Sequence, residues 1–270
     1  MLRRRALSLL LTSAARLYSR PVGTLDGFLD PKQGCALLLD VRSGDILASN
    51  SNPLANTILV PPGSTLKPFV LSALLRSGKL RSDESFFCPE RLVLAGHRMD
   101  CSHPRLATPM HIDTALAYSC NCFVAHVAER FAPGELARVL EISGSVTPQR
   151  SADLQMLQAL GASGILVTPV EMAQAWRKLA LLPPQPEILD GLEGAVEYGT
   201  AQLARVRWAT LAGKTGSARD AQNFIAWFAG FVPSRAPQLV IAVMLSGHHG
   251  GSDAAPVASQ ILDAWHAGHL

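Results

Sequence analysis

The chain has 270 residues, of which 48% are hydrophobic and 17% are charged. This composition excludes an intrinsically disordered chain, because such chains combine low hydrophobicity with high net charge. The length suits one sizeable globular domain or two small ones. The net charge of +3 at pH 7 equals the contribution of Arg3, Arg4 and Arg5. The other basic residues are scattered among acidic ones, so the sequence predicts no nucleic-acid partner.

The first 15 residues are typical of an export signal. The arginines precede a short apolar run at residues 6–11, and small residues follow where a signal peptidase cuts. The run is too short for a membrane-spanning helix of about 20 residues. We therefore expect residues 1–15 to be a signal peptide, with an amphipathic N-terminal helix as the alternative. The expected location is the periplasm or the outer face of the cytoplasmic membrane.

Residues 16–33 contain several glycines and prolines with few periodic apolar positions, which predicts a linker. The domain is then expected to extend over residues 34–270. Its first predicted elements are a buried hairpin, from apolar runs at 35–40 and 46–49 on either side of a turn-rich segment, and a helix over 65–76. Further helices are predicted over 114–131 and 134–142.

The second half of the chain begins with another helix and then changes period. Thr168, Pro169 and Glu171 form a capping-box pattern that predicts a helix start. Short apolar strands are predicted over 224–231 and 239–245, and a last helix over 256–266. This order predicts an α+β fold, in which N- and C-terminal strands form one antiparallel sheet against a mostly helical middle region.

The chain contains five cysteines, at positions 35, 88, 101, 120 and 122. Because the number is odd, at least one is unpaired or bonded elsewhere. Cys88 and Cys101 flank a hairpin-like stretch at 92–99, so they could form a disulfide in an oxidising compartment. A small zinc site with His103 and unlinked thiols are the alternatives. Without a paired Cys-x-x-Cys motif, the sequence assigns no metal or other cofactor.

Three short motifs point to nucleophilic catalysis. They occur in the order Ser64-x-x-Lys67, Ser119-x-Asn121 and Lys214-Thr215-Gly216. Each motif alone is weak evidence, so the inference rests on the order of the three motifs and on their positions in the predicted helices and strands. Ser64 lies at the first turn of a predicted helix, so Lys67 lies on the same face and its amine can approach the hydroxyl.

A lysine can act as the base for a serine only when it is neutral. Apolar neighbours such as Leu66, together with a second cation at Lys214, would lower the pKa of Lys67. Ser119 at a helix elbow could pass a proton, and the Asn121 amide could hold a substrate carbonyl.

The third motif is suited to binding a carboxylate. Lys214 and Thr215, on a strand edge, would offer a cation and a hydroxyl. Gly216 would let the backbone come close to a ligand.

With the blocks at 36–48, 61–68, 164–169 and 227–233, these motifs resemble the transpeptidase domain of penicillin-binding proteins, from about Gly34 to the C-terminus. The first and third motifs also occur in β-lactamases. The resemblance implies the fold shared by penicillin-binding proteins and β-lactamases. It also implies a cofactor-free D,D-transpeptidase that forms an acyl-enzyme from D-Ala-D-Ala stem peptides of peptidoglycan and transfers it to an amine.

The resemblance implies a role for each motif residue. Ser64 would be the nucleophile and Lys67 its base, while Ser119 would relay a proton and Asn121 contact the substrate. Lys214 and Thr215, next to Gly216, would bind the substrate carboxylate. The backbone amides of Ser64 and Ser217 would form the oxyanion hole. Stem peptides, β-lactams as covalent inhibitors, and another cell-wall enzyme that supplies glycan strands are the implied partners.

Two departures from the family pattern are visible. Cys120 and Cys122 surround Asn121, and Ser217 stands where threonine is common. The alternative functions are a D,D-carboxypeptidase, a β-lactamase, and a penicillin-sensing or docking module without turnover. The β-lactamase is disfavoured because no glutamate after the second motif lies in a Glu-x-x-Leu-Asn setting.

Overall fold

The structure is a computed structural model that describes residues 22–182, 184–220 and 223–270. The signal peptide predicted over residues 1–15 lies outside these ranges. Within them, every helix is too short or too polar to cross a membrane.

The strands of the described residues are β1 (Gly23–Thr24), β2 (Gly34–Asp40), β3 (Ile46–Ser49), β4 (Val93–Leu94), β5 (His97–Arg98), β6 (Ser145–Val146), β7 (Ile165–Leu166), β8 (Ala212–Arg219), β9 (Phe224–Val232) and β10 (Leu239–Ser246). The α-helices are α1 (Lys67–Arg76), α2 (Ile112–Ala117), α3 (Asn121–Ala128), α4 (Glu135–Val139), α5 (Ala152–Ala159), α6 (Pro169–Leu181), α7 (Pro186–Glu197) and α8 (Ala255–His266). The predicted α+β class is confirmed.

The main sheet joins the two ends of the domain, as the sequence predicted. Its spatial order is β1-β3-β2-β10-β9-β8, with β2 antiparallel to β10. Leu37 and Leu39 of β2 share a hydrophobic cluster with Trp176 of α6, whereas Leu38 shares the opposite cluster with Ile261 of α8. Because alternate side chains of a strand point to opposite faces and both faces are covered, β2 is a continuous apolar run.

The described part of the segment predicted as a linker, residues 22–33, contains a strand and buried side chains. Gly23 and Thr24 form β1, which pairs in parallel with β3, and Leu25 and Leu29 are buried. The sheet is therefore mixed at this edge rather than wholly antiparallel. Glycine and proline interrupt the apolar pattern here, so such a short strand leaves little periodic signal.

The helix predicted over 114–131 is divided into α2 and α3. The chain turns at residues 118–120, where Ser119 adopts a left-handed conformation with φ of 58°. This conformation is uncommon for residues other than glycine, and helical periodicity does not reveal it. The turn directs the Ser119 carbonyl and hydroxyl towards α1.

Helix α7 was not predicted, and a glycine inside a helix lowers its intrinsic stability. Gly191 instead permits close packing against α2, since a Cβ at this position would lie 2.7 Å from Leu116 Cβ. The helix pairing, rather than local propensity, accounts for the glycine.

Helix α6 begins with the predicted capping box. Glu171 N donates to Thr168 Oγ1 at 3.1 Å, and Thr168 N donates to the Glu171 carboxylate at 2.8 Å. We expect Thr168→Ala to lower the free energy of unfolding by about 1 kcal/mol, because it removes an acceptor for the first turn. Chemical denaturation measures this loss. Thr57→Ala changes an exposed threonine and is the control; equal losses in the two variants would contradict the prediction.

Candidate active site

The first motif lies on a tight helical turn that runs into α1. A 3₁₀ helix spans Gly63–Leu66, and its three residues per turn place Ser64 and Lys67 on one side. Gly63 has φ of +55°, and a Cβ there would lie 2.7 Å from Ser217 O. Glycine is therefore needed both for the backbone conformation and for the close approach of this turn to β8.

Lys67 links the first motif to the second. Its side chain is fully buried, and Nζ donates to Ser119 O at 2.7 Å, Ser119 Oγ at 3.2 Å and Asn121 Oδ1 at 2.6 Å. Within the described part of the chain, no hydrogen bond joins Lys67 Nζ to Ser64 Oγ. Lys67 follows Ser64 by one helical turn, and its amine is held by the turn between α2 and α3. The approach of this amine to the Ser64 hydroxyl stays a prediction.

Burial lowers the pKa of Lys67 to about 8, although the nearby cysteine thiols, when ionised, oppose this shift. The neutral amine is thus more accessible near neutral pH than it is for an exposed lysine. The pKa of Lys214 is lowered well below its usual value, first by burial and then by the charge of Lys67. Burial, rather than the second cation, is the main cause of the shift at Lys67.

The third motif lies on β8, at the edge of the sheet. Lys214 Nζ donates to Thr215 O at 3.2 Å and to Thr200 Oγ1 at 3.4 Å. The hydroxyls of Thr215 and Thr200 are 2.8 Å apart. Lys214, Thr215 and Thr200 therefore bring one amine and two hydroxyls together, a set of donors suited to a carboxylate.

Thr200 was missed by the sequence analysis. It follows Gly199, where a Cβ would lie 2.1 Å from Ala117 O, in the loop after α7. The only local signal is a Gly-Thr pair after a helix, which is too common to single out a site residue.

Gly216 and Ser217 complete the side of the site formed by β8. A Cβ at Gly216 would lie 2.8 Å from Pro62 O, so the glycine permits close packing of β8 against the turn before Ser64. The close approach of a ligand to Gly216 stays a prediction. Ser217 is exposed, and its Oγ accepts a hydrogen bond from Gly250 N at 3.1 Å. A cavity of about 630 Å³ opens beside Ser217 and is partly lined by Leu157 and Phe224.

The cysteines around Asn121 are close to the two cysteines that flank the β4–β5 hairpin. Cys88 and Cys101 are not joined by a disulfide, and their Sγ atoms lie 3.6 Å apart. Cys120 is the N-cap of α3, where its Sγ accepts a hydrogen bond from Phe123 N. The structure thus places four thiols next to the second motif.

Residues 34–263 match the family model described as penicillin binding protein transpeptidase domain. The chain belongs to this family, which confirms the resemblance inferred from the motifs. The probable peptidoglycan D,D-transpeptidase PbpC of Pseudomonas aeruginosa is 25% identical, over 85% of this chain and 53% of the relative. The peptidoglycan D,D-transpeptidase FtsI of Escherichia coli (strain K12) is 24% identical, over 91% of this chain and 53% of the relative.

The chain therefore spans about half the length of these curated relatives. Among solved structures, Pseudomonas aeruginosa PBP2 in complex with WCK 5153 superposes with a TM-score of 0.77 at 21% identity, and the match covers 89% of this chain and 75% of the other. This similarity confirms the fold of the penicillin-binding protein family.

Proposed function

We propose that the chain is a peptidoglycan D,D-transpeptidase. Ser64 Oγ attacks the carbonyl between the two D-alanines of a stem peptide, the Ser64 ester forms, and the terminal D-alanine leaves. An amine of a second stem then attacks the ester, forms the crosslink and releases Ser64. The observation that carries this proposal is the buried Lys67 amine, one turn from Ser64 and hydrogen-bonded to Ser119 and Asn121.

The base in both half-reactions is Lys67. In its neutral form it takes the Ser64 proton, and the adjacent Ser119 hydroxyl passes a proton to the departing amine. In the second half-reaction the same groups work in reverse, and Lys67 takes the proton of the incoming amine. The low pKa that burial gives Lys67 supports this role.

The negative charge that develops on the attacked carbonyl oxygen needs fixed donors. The backbone N–H groups of Ser64 and Ser217 are our candidates for this oxyanion hole. The close approach of Gly63 to Ser217 supports this assignment, because it holds the two backbone segments together.

The terminal carboxylate of the donor stem would bind Lys214, Thr215 and Thr200. A β-lactam carboxylate would occupy the same place, with its ring carbonyl at Ser64. The cavity beside Ser217 could receive the remainder of the stem peptide, because its lining is partly apolar and open to solvent.

A β-lactamase would need a group that activates water against the acyl-enzyme. Glu135 pairs with Lys79 at 2.5 Å, Glu141 with Arg76 at 3.6 Å, and Glu171 caps α6. These three glutamates, which all follow the second motif, are thus engaged elsewhere, which favours transfer to an amine over rapid hydrolysis. Carboxypeptidase activity would use the same site with water as the acceptor.

This function requires a location where peptidoglycan is made. We infer that the protein is exported and acts in the periplasm or at the outer face of the cytoplasmic membrane. A cell-wall enzyme that supplies glycan strands would be its natural partner.

The function predicts a persistent adduct with penicillin. Because no residue is assigned as a base that activates water, the penicilloyl ester should last for many minutes. The terminal D-alanine of a donor peptide or thioester should exchange for an added D-amino acid. Intact mass spectrometry over time follows the adduct, and chromatography of the donor follows the exchange.

The same experiment separates the alternatives, with Ser64→Ala protein as the blank. Loss of label within seconds would identify a β-lactamase. Stable label without donor turnover under any acceptor condition would identify a sensing or docking module. Donor hydrolysis without exchange would identify a carboxypeptidase.

A further inference from the structure

Three cysteine sulfurs lie beside the second motif in an arrangement that the acyl-transfer chemistry does not use. The Sγ atoms of Cys88, Cys101 and Cys120 form a triangle with sides of 3.5, 3.6 and 3.7 Å. A tetrahedral zinc ion with Zn–S bonds of about 2.3 Å separates its sulfur ligands by about 3.8 Å. The triangle therefore has nearly the dimensions of one face of such a tetrahedron.

The fourth corner is occupied by an imidazole. A ring nitrogen of His103 and the three sulfurs all lie within 4.8 Å of one another. His103 Nδ1 lies 2.8 Å from Pro104 O, and because a carbonyl only accepts, Nδ1 carries the proton. His103 Nε2 is buried and has no hydrogen-bond partner among the described residues. Its lone pair is free for a metal, and an Nδ1–H bond to a carbonyl is the usual outer contact of a zinc-bound histidine.

Each sulfur also accepts a backbone N–H, as a thiolate ligand would. These bonds are Glu90 N to Cys88 at 3.3 Å, Cys122 N to Cys101 at 3.5 Å, and Phe123 N to Cys120 at 3.3 Å. Hydrogen bonds of this kind stabilise negative charge on sulfur, which metal binding requires.

We propose that Cys88, Cys101, Cys120 and His103 bind one zinc ion. The three thiols release their protons on binding, and the neutral imidazole gives its Nε2 lone pair. Cys122 lies 3.5 Å from Cys101 and remains outside the ligand set. The sequence favoured a disulfide because it lacks a paired Cys-x-x-Cys, but the fold brings the ligands together from separate segments.

The ion would act as a positioning element for the second motif; this step rests on the proposed function. Cys120 lies between Ser119 and Asn121, and Asn121 Nδ2 donates to Met99 O of the hairpin segment at 3.0 Å. Zinc would join the start of α3 to the hairpin and so hold Ser119 and Asn121 in position for Lys67.

Metal content tests the site without using catalysis. The protein is purified under reducing conditions with zinc and then freed of unbound metal. Elemental mass spectrometry should then find one zinc ion per chain. Cys101→Ser, Cys120→Ser and His103→Ala should lose most of it. Cys35→Ser and Cys122→Ser are matched controls that should keep it, because Cys35 lies in β2 and Cys122 is outside the ligand set. Circular dichroism establishes that each variant is folded.

Titration of metal-free wild-type protein provides a measurement that needs no variant. Cobalt(II) should give the absorption bands of a tetrahedral thiolate site, and zinc should abolish them. Absence of zinc in the reconstituted wild-type protein, or a Cys88–Cys101 disulfide under the same reducing conditions, would overturn the proposal. Zinc kept by His103→Ala but lost by Cys122→Ser would overturn this ligand set in favour of four cysteines.

The effect on the second motif is measured separately. Removal of zinc from wild-type protein should slow penicillin acylation of Ser64 at least tenfold, and restored zinc should restore the rate. An unchanged rate would overturn the positioning role. Zinc-loaded protein that no penicillin labels would contradict the proposed function and leave the metal site standing.

Discussion

Ser64→Ala should abolish covalent labelling by a fluorescent penicillin. Ser64 is partly exposed at a turn against β8, and it is the serine that has a buried lysine one helical turn away. Without its hydroxyl no ester can form. Gel fluorescence and intact mass measure the adduct, and a peptide map locates it.

Ser77→Ala is the matched control, since this serine lies exposed just after α1. The control should label at the wild-type rate. Label retained by Ser64→Ala, or an adduct mapped to a different residue in the wild-type protein, would show that the nucleophile has been misassigned.

Lys67→Ala should lower the acylation rate constant by a factor on the order of 10²–10⁴, the usual contribution of a general base. Lys67→Arg should lose a comparable factor, because arginine keeps the positive charge but does not give up its proton. Stopped-flow measurement of acylation at several penicillin concentrations separates binding from the chemical step. Lys79→Ala, which removes a surface partner of Glu135, should leave the rate unchanged.

Lys214→Ala should have a different effect from Lys67→Ala, because it should weaken penicillin binding as well as slow acylation. The loss should be smaller for a penicillin methyl ester than for the free acid, because the ester lacks the carboxylate that Lys214 would bind. Equal and small effects of the Lys67 and Lys214 substitutions would mean that the site is not built as proposed.

The parts of the site that depend on short-range pattern were predictable from the sequence. The spacing of Ser64 and Lys67 places both residues on one side of a helix, whatever surrounds it. The apolar strands and the capping box at Thr168 were equally local. Only the combined motifs and family blocks allowed the sequence to relate Lys214 to Ser64.

The rest depends on contacts between distant segments. The left-handed conformation of Ser119 lies in the turn between α2 and α3, where both of its oxygens accept hydrogen bonds from Lys67 of α1, and no periodicity encodes it. Thr200 enters the site only because α7 ends beside β8. The approach of Cys88 and Cys101 to Cys120 likewise requires the hairpin to fold onto α3, so spacing alone left disulfide, metal and free thiols open.

The strand order also bears on when the site can exist during synthesis. Strand β2 is made early, but its partners in β10, from Leu239 opposite Asp40 to Leu245 opposite Gly34, are made about 200 residues later. Closing so long a loop lowers chain entropy before the pairing compensates, so these contacts form late. Until then the first hairpin has an unpaired edge, and the β8–β9 pair that contains Lys214 is not joined to it through β10. A nascent chain would therefore hold the proposed nucleophile, Ser64, before the proposed carboxylate-binding residues are in place. We expect acylation to become possible only once the last strands have paired.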